Sequence, residues 1–99
     1  MHGVVITSHV QTDKVDEVIR IVQERIVPTL NTVPGIRSWR AMVDRATGRV
    51  VAVGEYESET AARDVGTSEL YQQAVAALGQ FLLGQPVREI YEEVAVFEA

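Results

Sequence analysis

The sequence predicts an α+β fold, one four-stranded antiparallel sheet with two helical regions on a single face, in the order β-α-β-β-α-β. Three observations carry this. Two stretches with helical spacing of apolar residues alternate with four of strand character. Two of the strands, through Val4-Val5-Ile6 and Val50-Val51-Ala52-Val53, are apolar on both faces and belong in the middle. The other two carry Arg37, Arg40 and Asp44, or Arg88, Glu89, Glu92 and Glu93, and charge of this kind favours sheet edges.

Residues 3 to 10 read as the first strand, with Val4, Ile6 and Ser8 on one face and Val5, Thr7 and His9 on the other. Thr12-Asp13 offers a helix cap, and from Val15 the apolar positions 15, 18, 19, 22, 26 and 30 form a 3.6-residue stripe. Pro28 has no N–H to donate, so the regular helix should end or kink near Val27, before a short turn through Leu30 and the stop Val33-Pro34-Gly35. Ile36 to Asp44 and Arg49 to Tyr56 read as a hairpin in which Gly48 supplies a positive φ at the end of the loop. Ser58 opens a short helix to about Val65, and Gly66-Thr67-Ser68 breaks it. Ser68 then caps a second piece with Tyr71, Ala74, Val75, Leu78, Phe81 and Leu82 at helical spacing. Val87 to Phe97 completes the sheet as an edge strand. The spatial order expected is 4-1-3-2, the ferredoxin-like split β-α-β plan.

Two helical regions cannot cover both faces of four strands. The face bearing Val5, Thr7, Val51 and Val53 therefore needs a partner, and a second copy of the same sheet is the economical one, so a homodimer is expected.

Ninety-nine residues make a single domain spanning 1–99, with 46% hydrophobic and 23% charged residues, as in ordinary globular chains. No apolar run reaches the roughly 20 residues of a bilayer span, and the start has no secretory pattern, so no membrane association and a cytoplasmic location are expected. The net charge of −5 argues against nucleic-acid binding. Without cysteine, there is no thiolate catalysis and no cysteine zinc site. The arginines 37, 40, 45 and 49 concentrate around the hairpin, as a solvated surface paired with nearby acids or as an anion-binding lip.

Thr32-Val33-Pro34-Gly35-Ile36, together with Val53-Gly54-Glu55-Tyr56-Glu57-Ser58-Glu59-Thr60-Ala61 and the element order, resembles the antibiotic-biosynthesis monooxygenase family of dimeric α/β barrels. The likeness runs along almost the whole chain through short, tolerant motifs. It implies sheets packed back to back in a dimer, and a small-molecule pocket between each sheet and its helices. It also implies oxygenation of an aromatic or polyketide-like phenol or quinol without metal or flavin, so no cofactor is expected. Tyr56 stands where many relatives have tryptophan, and Ala52 where oxygenating members can carry asparagine. The haem-degrading branch uses a helix histidine, and the matching region Leu70 to Leu78 has none. A non-catalytic small-molecule-binding or stress-related barrel is the alternative on the same fold.

Candidate substrate-binding residues are Tyr56, Tyr71, Trp39 and Arg40. Tyr56 shares a strand face with Val50, Ala52 and Gly54, whose small members leave space under the helices. Tyr71 lies on the inward stripe of the second helical region and either packs the core or projects into the same space. Trp39 faces away from Ile36, Ser38, Arg40 and Met42 in an unbulged strand, so its side turns on the register. Arg40 is a candidate polar contact from a neighbouring element. His9 falls on the dimer side, His2 is terminal and expected to be mobile, and Glu92 and Glu93 point to opposite faces and cannot cooperate within one chain. No catalytic base and no metal-ligand set stands out.

Overall fold

A computed structural model describes residues 1–65 and 68–99. Four strands, β1 (His2–His9), β2 (Ile36–Asp44), β3 (Arg49–Tyr56) and β4 (Val87–Glu92), form one antiparallel sheet in the order β2-β3-β1-β4, the order expected from the sequence. The β1–β3 register sets Val4 against Gly54, Ile6 against Ala52 and Ser8 against Val50 on the helix side. Val5 against Val53 and Thr7 against Val51 then occupy the other side.

The helices on the first side are α1 (Val15–Ile21), α2 (Val27–Thr29), α3 (Glu59–Asp64) and α4 (Glu69–Ala76). Pro28 does not end the first helical region. A π-helical stretch, Val22–Ile26, precedes it, in which the Val27 N–H donates to the Val22 carbonyl five residues back. The helical path continues through Pro28, where the Thr29 hydroxyl donates to the Ile26 carbonyl at 2.7 Å. Widening the turn absorbs the missing proline donor without a break. The Thr12-Asp13 cap does not form either; Thr12–Lys14 is a 3₁₀ turn without a side-chain cap.

Ser58 and Ser68 both cap as expected, accepting from the N–H groups of Ala61 at 3.0 Å and Tyr71 at 3.4 Å. The Gly66-Thr67 part of the predicted break lies outside the described residues. Helix α4 ends at Ala76, and Phe81 reaches the core from a 3₁₀ turn, Gly79–Phe81. Leu82 makes an isolated bridge to Val10.

The hairpin closes as read. Gly48 has φ 76°, and a side chain there would drive into the Val10 carbonyl oxygen at 2.1 Å, so only glycine fits. Two strand limits differ from expectation. His2 belongs to β1, opposite Tyr56 and Glu92, and its Nε2 lies 3.9 Å from a Glu59 carboxylate oxygen. Strand β4 stops at Glu92 rather than Phe97, and just beyond it the Glu93 N–H donates to the Met1 carbonyl at 3.0 Å. Val94 and Phe97 consequently stand 88% and 89% exposed.

Two apolar clusters fill the space between sheet and helices. One gathers Val4, Ile26, Leu30, Val33, Tyr56, Ala62, Val65, Tyr71 and Ala74; the other gathers Val10, Val15, Val18 and Phe81. Val22 and Leu78 touch both. The opposite face of the sheet carries no helix, and Met42, Val87 and Tyr91 on it are each more than half exposed.

Candidate functional site

The seam between the two clusters opens into a chamber of about 520 Å³. Its floor is the helix side of the sheet, with Ile6 and Ser8 from β1 and Val50 and Ala52 from β3. Its roof is α4 and the turn after it, with Tyr71, Gln72, Val75, Ala76 and Leu78, and Ile26 closes it from the π-helical stretch. Leu82, Pro86 and Arg88 stand toward β4, and Trp39 stands toward β2. The walls are mainly apolar, with Ser8, Tyr71, Gln72 and Arg88 as the polar groups. This is the composition of a small-molecule site, and the volume falls in the range of about 300–1,000 Å³ such sites occupy. On β3 the floor is formed by Val50 and the small Ala52, whereas Gly54 lies outside the lining under the Tyr56 and Trp39 rings.

Trp39 reaches the chamber through a β-bulge. The β2–β3 ladder pairs Ile36 with Tyr56 but Ser38 with Glu55, so one extra residue sits between them and the strand's parity flips. Trp39 then stands opposite Gly54 on the helix side. A Cβ on Gly54 would lie 3.1 Å from the indole Cδ1, 2.8 Å from Tyr56 Cε2 and 2.9 Å from the Tyr56 hydroxyl. Both aromatic rings therefore rest on the bare backbone of Gly54. The same parity puts Arg40 opposite Val53, on the helix-free face and away from Tyr56 and Tyr71, so it is not their partner across the chamber.

Tyr56 lies deeper than its sequence reading implied. Only 2% exposed, it packs among core residues behind the chamber and is not part of its lining. Burial pushes its hydroxyl up to about 12; neighbouring Tyr71 adds to the rise and Arg88 opposes it. Tyr71 does line the chamber. Burial also raises its pKa, again with Arg88 pulling the other way, so Tyr71 presents a protonated hydroxyl at neutral pH.

Arg88 is the polar residue that the sequence reading missed. It had the look of an edge-strand charge, yet it pairs with Ile6 across β1–β4 and so shares the inward parity of Ile90, which packs on the core. Its guanidinium donates to the Ala62 carbonyl of α3, which anchors it below the helices within electrostatic reach of both tyrosines. The available signal was a cation in phase with core positions of β4. Placed there, a positive charge and a tyrosine O–H can hold a phenolate oxygen at the open end of a mainly apolar space.

No histidine, aspartate or glutamate lines the chamber among the described residues. His9 is exposed at the far end of β1, opposite Arg49. Among the described residues no group of three or more histidines, cysteines, aspartates or glutamates is arranged to hold a metal ion. Among the described residues no helix is long and apolar enough to cross a membrane.

The motifs used for the family resemblance meet in space. The Glu57 N–H donates to the Gly35 carbonyl at 2.8 Å, and Arg37 pairs with Glu57 at 3.2 Å, joining the start of β2 to the end of β3. A monooxygenase from the ActVA-Orf6 gene of Streptomyces coelicolor, solved with nanaomycin D, is similar in fold at 20% identity and a TM-score of 0.80, covering 99% of this chain and 92% of that one. A candidate antibiotic biosynthesis monooxygenase from Caulobacter crescentus is 25% identical with a TM-score of 0.81, covering 95% and 90%. Rv0793 from Mycobacterium tuberculosis gives 18% and 0.77, covering 98% of each chain. Comparison with curated proteins gives no match. The sequence model described as antibiotic biosynthesis monooxygenase matches residues 1–77, from β1 through α4, and the chain belongs to that family.

Proposed function

We propose that this protein is a cofactor-independent monooxygenase that oxidises an aromatic phenol or quinol in the chamber between sheet and α4. The observation that carries the reading is the placement of Tyr71 within electrostatic reach of Arg88 in a mainly apolar space. Bound there, a phenol oxygen accepts from the Tyr71 hydroxyl and faces the Arg88 guanidinium, which favours its ionised form. The electron-rich phenolate reacts with O₂; one oxygen atom joins the ring carbon and the other leaves as water, giving a quinone. The apolar walls shield the reacting ring, while the open end leaves the oxygen in touch with solvent. Since no carboxylate or imidazole lines the chamber among the described residues, the phenol proton departs to solvent, and Arg88 makes this favourable by holding the anion.

The ligand in the Streptomyces structure belongs to that protein, and it supports a ring-sized occupant here by likeness of fold. The reading includes a homodimer formed through the helix-free sheet face, where Val5, Val51 and Val53 lie with the exposed Met42, Val87 and Tyr91.

The test is oxygen uptake with 1-naphthol and the tricyclic 1-anthrol, followed by quinone absorbance and ¹⁸O₂ labelling. One label should enter the quinone per O₂ consumed. Arg88→Gln should lower turnover by about tenfold to a hundredfold, the scale of one lost charge-stabilising contact. The lack of a base in the lining favours a second reading, a non-catalytic binding barrel. Ligand binding without any oxygen consumption would establish it.

A further inference from the structure

Beside the chamber lies a second apolar groove of about 340 Å³, between α1 and β2, with Val18, Ile19, Val27 and Val43 in its walls. Trp39 and Val50 line both spaces. We infer that the Trp39 indole is a partition that sets the length of ligand this protein accepts, with the groove as the space a longer ligand would enter. This deepens the proposed function and rests on the chamber being the ligand site.

Two features hold the indole at that boundary, and a third residue extends the boundary. The bulge between Ile36 and Ser38 turns Trp39 to the helix side, where an unbulged strand would present it to the other face. Gly54 gives it a place to lie, its inner edge 3.1 Å from where a Cβ would stand. Val50 continues the boundary as the other shared wall, too small to divide the two spaces alone.

The chamber is also directional. Arg88 sits on β4 and Trp39 on β2, at opposite edges of the order β2-β3-β1-β4, three inter-strand spacings or roughly 14 Å apart. A ligand whose oxygen sits at Arg88 and Tyr71 points its apolar end at the indole. Trp39 is thus a specificity-determining wall, and the bond-making end of the ligand lies away from it.

Para-alkylphenols from 4-ethylphenol to 4-nonylphenol serve as a ruler, with dissociation constants measured by calorimetry for wild type, Trp39→Phe and Trp39→Ala. In wild type, affinity should rise by about fourfold per methylene buried and then level off or fall once the chain meets the indole. In Trp39→Ala the break should move to a longer chain, so that 4-nonylphenol binds roughly tenfold tighter than to wild type, while 4-ethylphenol is held no better. Trp39→Phe should shift the break part of the way, and it covers the case in which the alanine variant does not fold. Because Trp39 is the sole tryptophan, its emission in wild type should also change as the longer phenols reach it. An unmoved break in both variants would overturn the partition alone. If wild type binds none of the series, the chamber is not the ligand site and both readings fall together.

Discussion

Gly54→Ala is the sharpest test of how the site is built. The added methyl carbon would lie 2.8 Å from Tyr56 Cε2, 2.9 Å from its hydroxyl oxygen and 3.1 Å from Trp39 Cδ1. Tyr56, at 2% exposure, has no free space into which to swing, so the clash must move a packed ring or the strand itself. Overpacking of this kind costs about 1–3 kcal/mol. Replacing glycine inside a strand returns roughly 0.5–1 kcal/mol through the entropy of the unfolded chain. The net destabilisation is about 1–2 kcal/mol, and for a domain of this size it lowers Tm by roughly 4–15 °C. Thermal melts followed by circular dichroism measure it, and a shift in Trp39 emission should accompany it because the indole rests on the same atom. Tyr56→Phe removes one of the two closest contacts, so the double variant should recover part of the loss, with a coupling of at least about 0.5 kcal/mol. A Gly54→Ala protein as stable as wild type, with unchanged emission, would mean that the rings do not rest on the glycine.

Two further outcomes are expected. Tyr56 titrates at about 12 in the fold against an ordinary value of 10.0, so its contribution is intact below pH 10 and is lost as pH rises through 12. The share at stake is about 3 kcal/mol, and Tyr56→Phe should flatten the alkaline part of a stability-against-pH curve; an identical decline in both proteins would remove Tyr56 as its source. Val51→Asp places a charge on the helix-free face, where stable dimers commonly bury more than about 2,000 Å². Light scattering should show a dimeric wild type and a monomeric or unfolded variant, and a monomeric wild type at micromolar concentration would refute the dimer.

Most of the architecture was legible because period and parity are local properties. Val4, Ile6 and Ser8 could be set on one face and Val5 and Thr7 on the other from alternation alone, and the observed register keeps that division. Gly48 announced its turn because no other residue fits a positive φ with the Val10 carbonyl against it. The charges on β2 and β4 placed those strands at the edges. What escaped the sequence was each feature set by a neighbour distant in the chain. Strand β4 stops at Glu92, a limit that the residues Val87 to Phe97 do not contain in themselves. Pro28 reads as the end of a helix or a kink in it, and the structure takes the second course through the widened turn Val22–Ile26.

The site divides the same way. Sequence alone set Ala52 and Gly54 on the helix side of β3 and Tyr71 on the inward stripe of its helix. Tertiary structure decided the rest. A single extra residue in β2 carries Trp39 to the chamber and Arg40 to the opposite face, since one step of register reverses every side chain after it. The fold withdraws Tyr56 behind Gly54 and brings Arg88, itself still exposed, to the chamber wall, where its guanidinium donates to the Ala62 carbonyl of a helix far along the chain. Periodicity fixes which face a residue prefers, whereas the partner waiting on that face comes from elsewhere in the chain and is known only once the fold has formed.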